Sequence, residues 1–367
     1  MENQKKERLF VDIHVLQTVP PSCLNRDDTG SPKTAIYGGT TRSRVSSQSW
    51  KHAMRGLFKE NMPKEDLAYR TKEVMQLIIR ELESRNYPED TTVAAEALLT
   101  AAGMKLKKNA KTGLINRDAL FFISNAQVRA LVDLLLSNSD FLEKSSSKEY
   151  KAMAQLSLKQ NPGIDIALFG RMVAEDPSLN TDASSQVAHA ISTHSVSTEF
   201  DFFTAVDDLA PEDNAGAGHI GTVEFNSATL YRYATLAVHD LKNNLGEVSK
   251  DAVTQFVQAF VYSMPTGKQN SFANRTLPDV VQISLREDQP VNFVGAFEKA
   301  VPISKEGYVQ ESARRLVAHE DSLSQTFMKP AIKNFYVGSH FAESRPTLSF
   351  AQALDEVSKV LSEKMSS

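Results

Sequence analysis

Residues 8 to 18, RLFVDIHVLQT, alternate so that Val11, Ile13 and Val15 fall on one side and Phe10, His14 and Leu16 on the other. Side chains that are apolar on both sides predict a strand buried in the middle of a sheet. The next stretch, PPSCLNRDDTGSPKTAIYGGTTRSR, is dense in Pro, Gly, Ser, Thr and Asp and predicts a long irregular loop. Ser46 or Ser47 then caps a helix whose apolar residues Trp50, Ala53, Met54, Leu57 and Phe58 keep helical spacing. From about residue 64 to 160 the pattern is helical throughout, a block inserted after the first strand and helix. GIDIALFGRM reads as short β-like segments, ASSQVAHAIS as a helix, and THSVSTEFDFFTAV as an extended arm. The arm ends in the turn-rich PEDNAGAGHIG and returns as the strand TVEFNSATLYRYATLAV, so residues 195 to 226 form a protruding β-hairpin or loop. A helix at DAVTQFVQAFVYSM, a strand at VVQISL and helices near 292–300, 307–327 and 349–364 complete the chain. This order predicts an α+β protein with a ferredoxin-like core interrupted by two excursions.

The composition fits a globular chain of 367 residues, with 41% hydrophobic and 23% charged residues. That length suits two domains, or one with a large insertion. Apolar runs such as Leu131 to Leu136 are far shorter than a membrane span needs, and no apolar segment follows the charged N-terminus. A soluble, unexported, cytoplasmic protein is expected. The single cysteine, Cys23, excludes an internal disulfide framework and agrees with a reducing compartment.

A net charge of −4 argues against a polybasic nucleic-acid coat, yet it averages over unlike segments. Residues 26 to 60 carry seven Lys or Arg (26, 33, 42, 44, 51, 55 and 59) against three acids, and residues 101 to 117 carry five basic residues and no acid. From Glu199 to Glu224 there are seven acids, no Lys or Arg, and three phenylalanines, with Phe225 directly after. Charge sorted this way predicts an electropositive face and a separate acidic projection, with solvated charge runs as the plain alternative.

The first candidate for chemistry is RDDTGSPKTAIYGGTTRSRVSSQSWKHAMR. Gly38 and Gly39 permit close backbone approach to a ligand, Ser46, Ser47 and Gln48 sit at a helix start, and Lys51 and Arg55 lie one turn apart. Several cations spread over thirty residues, without a phosphate-loop signature, suit a polymer's phosphate backbone. A capped amphipathic helix behind a surface loop fits the same residues. Asp27 and Asp28 raise a rival reading, a metal-dependent endoribonuclease, although neighbouring acids in a turn more often form Asx-turns. His189 and His194 lack zinc-ligand spacing, and no nucleophile elbow appears. Phe202 and Phe203 in the arm need cover from the core, from another chain or from stacked bases.

Taken in order, PSCLNRDD, the GG pair, SRVSSQSWKHAMR, GIDIALFGRM, AHAISTH, FDFFTAVDDL and GTVEFNSATLYRYA resemble the CasC family, the backbone subunit of the type I-E CRISPR Cascade complex. The resemblance runs from about residue 9 to residue 300. It implies an RRM-like palm (8–58, 161–194 and 227–367), helical fingers (59–160) and a thumb hairpin (195–226). It further implies a non-enzymatic protein, without cofactor or metal, that polymerises along a guide RNA, kinks it at regular intervals and presents segments for pairing with target DNA. Its partners would be the guide RNA, copies of itself, other Cascade subunits and a recruited DNA nuclease-helicase. By motif position, Arg26, Lys33, Ser46, Gln48, Lys51 and Arg55 should hold the guide backbone. Met172 and the thumb residues Phe202, Phe203, Thr204 and Val206 should wedge against bases, Phe203 foremost, and Lys268 and Gln269 should touch RNA. This chain departs from the family where a Trp is expected at Phe202 and an Arg at His52.

Overall fold

The computed structural model describes residues 8–108, 115–116, 119–174, 176–205, 219–246, 249–341 and 343–365. The chain opens with β1 (Phe10–Ser22), β2 (Thr34–Tyr37), β3 (Thr40–Val45) and α1 (Ser47–Asn61). There follow β4 (Ala68–Thr71), α2 (Val74–Ser84), α3 (Thr91–Ala101), β5 (Lys107–Lys108), β6 (Ile115–Asn116), β7 (Phe121–Ser124), α4 (Asn125–Leu136), α5 (Phe141–Lys144), α6 (Lys148–Lys159) and α7 (Ile164–Phe169). Next come β8 (Ser185–Val187), β9 (Ala190–Ser192), β10 (Glu199–Ala205), β11 (His219–Ala237), α8 (Val238–Leu245), α9 (Ser249–Tyr262) and α10 (Gln269–Phe272). The last elements are β12 (Val280–Arg286), α11 (Val309–Thr326), β13 (Lys333–Val337), β14 (Thr347–Leu348) and α12 (Phe350–Met365). The protein is α+β and divides into two compact units, one of Met1–Leu57, Val187–Thr235 and Val253–Ser367, the other of Phe58–Gln186 and Leu236–Ala252.

The first unit is built on a sheet ordered β14-β13-β12-β1-β11-β9-β3-β2. β1 lies in its middle, paired antiparallel with β12 from Phe10↔Arg286 to Leu16↔Val280, and is buried from Phe10 to Leu16. Its two polar members survive burial because each is hydrogen-bonded. Asp12 accepts from the Tyr233 hydroxyl at 3.0 Å and from Val291 N at 2.9 Å, and burial raises its pKa to about 6. His14 shares a 2.9 Å bond with the Tyr231 hydroxyl and stacks on Phe293 at 4.2 Å, with burial lowering its pKa to about 3. It is therefore neutral at physiological pH, an aromatic core residue rather than a charged one.

The second unit packs α2, α3, α4 and α6 around Ile78, Leu82, Leu98, Leu131 and Leu158. Its helices start where the sequence supplies caps: Asp90 accepts from Thr92 N at 2.8 Å, and Ser124 with Gln127 forms a reciprocal capping box ahead of α4. Arg171, buried, ties the unit together by donating to the carbonyls of Phe122 (3.0 Å), Leu158 (2.7 Å) and Leu179 (3.0 Å).

Four expectations from the sequence are corrected here. Residues 64 to 160 are not helical throughout, because β4 pairs with β7 and β5 with β6. Phe121, Phe122 and Ile123 are β-prone and buried, and a four-residue strand is too short for its period to stand out between helices. GIDIALFGRM holds α7 rather than β-like segments, bounded by Gly163 and Gly170, each at φ +78°. ASSQVAHAIS forms β8 and β9 instead of a helix, since pairing with β11 and β3 outweighs its weak helical propensity. Finally, the long loop after β1 contains the hairpin β2–β3. Gly38 and Gly39, at φ +57° and +76°, make its turn, and a side chain at Gly38 would collide with the Glu298 carbonyl.

Candidate nucleic-acid interface

The loop from Cys23 to Lys33 is ordered by its own polar groups. Asp27 Oδ1 accepts from Thr29 N (2.9 Å), the Thr29 hydroxyl (2.7 Å) and Ser31 N (3.0 Å), an Asx-type turn that holds the carboxyl below the usual range. Lys33 N donates to Asn25 O at 2.8 Å, and Arg44 N donates to Lys33 O at 2.9 Å, so the loop is laced to β3. Asn25 Oδ1 accepts from Ser46 N at 2.9 Å, which fastens it to the head of α1. There the Ser46 hydroxyl accepts from Ser49 N at 3.3 Å, leaving Ser46 buried while Gln48 is exposed.

α1 turns Trp50, Met54 and Phe58 inward at i, i+4 and i+8. Lys51 and Arg55, both half-buried, lie one turn apart on another face. The inward face is fixed by Arg232, whose guanidinium sits 3.7 Å above the Trp50 ring and donates to Gln17 Oε1 at 2.5 Å.

A second segment meets the first from far along the chain. Gly267 packs so tightly beneath the loop that a Cβ there would fall 2.1 Å from Leu24 O. Only glycine fits, and this close approach sets Lys268, at φ +52°, and the exposed Gln269 beside Cys23 and Arg26. Burial raises the Cys23 thiol pKa, and the fields of Arg26 and Lys268 oppose that rise. α10 also reaches the base of the hairpin β10–β11, where the Phe272 and Phe225 rings lie 5.8 Å apart. One region of the first unit thus carries Arg26, Lys33, Gln48, Lys268 and Gln269, with the helix bearing Lys51 and Arg55 leading away from it.

β10 and β11 pair in register from Glu199↔Phe225 to Ala205↔His219. Alternation separates the phenylalanines. Phe200, Phe202 and Thr204 share one face, with Phe200 67% and Phe202 65% exposed. Phe203 is on the other face, only 41% exposed, with its ring lying across Gly221, where a Cβ would come within 2.4 Å of it. Phe202 and Phe200, rather than Phe203, are the bare rings of this hairpin, and sequence reading did not single out Phe200. The alternation in EFDFFTA was the signal that could have found it. Val206 lies outside the described residues. Met172 is 85% exposed on the second unit, directly after the buried Arg171 that anchors it.

A family model described as CT1975-like protein matches residues 11–362. The chain belongs to the CT1975-like family. Two solved structures resemble this CT1975-like chain over nearly its whole length. One, titled "CRISPR RNA-guided surveillance complex, pre-nicking", is 33% identical with a TM-score of 0.83, covering 96% of this chain and 99% of that chain. The other, titled "CRISPR RNA-guided surveillance complex", is 30% identical with a TM-score of 0.61, covering 96% of this chain and 99% of that chain. No curated protein matches it. Among the described residues no helix of this CT1975-like protein is long and apolar enough to cross a membrane, and no cluster of His, Cys, Asp or Glu could hold a metal ion.

Proposed function

We propose that this CT1975-like protein is the guide-RNA-binding backbone subunit of a type I-E CRISPR Cascade complex in the cytoplasm. Its palm, RRM-like with β1 central, holds the phosphate backbone along Arg26, Lys33, Gln48, Lys51, Arg55 and Lys268. Successive copies follow the RNA, and the hairpin of each acts as a thumb that kinks the guide at regular intervals. Target DNA is then read by base pairing with the guide rather than by the protein, and a nuclease-helicase recruited by the complex cuts it.

The observation that carries the reading is the convergence of two distant loops, 23–33 and 266–272, into one cation-bearing surface beside a hairpin with bare aromatic rings. Cations that follow a backbone, with rings on which bases stack, suit a single-stranded nucleic acid held without sequence preference. The titles of the structures it resembles support the same assignment.

The role is binding and not catalysis. Asp27, the candidate metal ligand of the endoribonuclease alternative, spends Oδ1 on three hydrogen bonds that shape its own loop. Incubating the protein with labelled single-stranded RNA and Mg²⁺ separates the two. Intact RNA is expected, and cleavage that Asp27→Ala abolishes would establish the nuclease.

A further inference from the structure

Arg44 and His189 stand at the edge of this surface, and neither is assigned a role above. His189 ends the turn between β8 and β9, and the pairing Val45↔Ala190 brings it beside the end of β3. The Arg44 guanidinium donates from Nε to Thr34 O at 3.3 Å, and its Nη1 lies 3.2 Å from His189 Nδ1. Since guanidinium can only donate, His189 Nδ1 must be the acceptor, which makes the ring neutral with its proton on Nε2. Lys33 is the second cation of the group.

Among the described residues the charged groups facing His189 are Arg44 from β3 and Lys33 from the segment before β2, and no acid is among those whose field reaches it. Lys33 and Arg44, though not His189, also line a small cleft of about 10 Å³, room for one oxygen atom, together with Asn25, Asn226 and the apolar Val19, Leu24 and Val45. Asn226 is 5% exposed and its Nδ2 has no hydrogen-bond partner among the described residues, while its Oδ1 accepts from the Ser43 hydroxyl at 3.0 Å. An open buried amide donor in the same cleft as two cations, Lys33 and Arg44, is what an anionic oxygen would complete.

We propose that Arg44 and His189 form a proton-coupled seat for one phosphate of the bound RNA. This rests on the RNA-binding reading above. Without an anion, protonating His189 would place two cations 3.2 Å apart and break the bond from Arg44. With a phosphate seated, Arg44 turns its donors to the phosphate, and His189 takes up a proton at Nδ1 and pairs with it as a second cation. Burial first, and then Arg44 and Lys33, hold the free His189 below the ordinary histidine pKa, and a phosphate that offsets those cations makes proton uptake accompany binding.

The test is fluorescence anisotropy of the full chain with a uridine 30-mer, between pH 8 and pH 6. Linkage predicts tighter binding as pH falls, by roughly tenfold over that range, and a flat profile for His189→Gln. Arg44→Gln should lower the slope of log affinity against log salt by about one, and Arg44→Lys should restore it. A wild-type pH profile in His189→Gln overturns the proposal. So does a change confined to self-association in sedimentation, which would assign the seat to the acidic hairpin of a second copy. If Lys51→Glu with Arg55→Glu weakens RNA binding while both seat variants behave as wild type, this proposal alone fails. If no variant and not even the wild type binds the 30-mer, the RNA-binding reading fails with it.

Discussion

The inner and outer parts of the first unit use the same residue type in opposite ways. Arg42 and Arg44 stand two residues apart on β3. Arg42 is fully buried and donates to Thr40 Oγ1, Ser192 O and Phe297 O, each at 2.9 Å, and to Glu298 O at 3.2 Å. Among the described residues the Arg44 guanidinium reaches only Thr34 O and His189. Arg232 is likewise spent inside, between Trp50 and Phe260, where burial lowers its pKa to about 9. Arginines in the interior work as multi-donor struts for backbone carbonyls, whereas those on the loop surface remain available to a ligand. The excess of cations over residues 26 to 60 therefore overstates the exposed charge, because Arg42 contributes none of it.

The largest effect should come from breaking a strut. Arg42→Met leaves the carbonyls of Ser192, Phe297 and Glu298 without their donor and should cost on the order of 3 kcal/mol in a urea unfolding titration. A stable Arg42→Met protein that has lost RNA binding would erase the distinction between the two classes. Reversing the half-buried pair on α1, Lys51→Glu with Arg55→Glu, should do the opposite: the fold is kept while RNA affinity falls by roughly 30-fold at low salt. Phe202→Ala should weaken RNA binding by about tenfold and loosen the periodic nuclease protection of a bound guide, with little change in melting. Phe203→Ala, which uncovers Gly221, should show the reverse balance. The smallest effect is expected of Asp27→Ala. Losing its turn should loosen the 23–33 loop slightly and weaken RNA binding by only a few-fold.

The sequence revealed those elements whose own pattern is long enough to declare a period. β1 is one, where apolar residues on both sides marked a central strand, and α1 is another, with Trp50, Met54 and Phe58 turned inward. β4, β7, β8 and β9 escaped notice because each is three or four residues long and exists through its partner, not its propensity. The candidate surface was legible in part. Arg26, Lys33, Gln48, Lys51 and Arg55 are near neighbours in sequence, and loop chemistry alone flagged them. That Gly267 presses against Leu24 and brings Lys268 alongside depends on a contact across more than two hundred residues. The burial of Arg42 and the exposure of Phe200 likewise follow from strand pairing, which charge counting does not see.

The central claim, that the cations of this surface hold a guide RNA, is tested most directly by sequencing the nucleic acid that co-purifies with the full chain from cells expressing a CRISPR array. The account predicts single-stranded RNA of uniform length, derived from that array, carried by the wild type and greatly reduced in Lys51→Glu with Arg55→Glu. Wild-type protein that emerges free of nucleic acid, or a double mutant carrying the same RNA in the same amount, would contradict it.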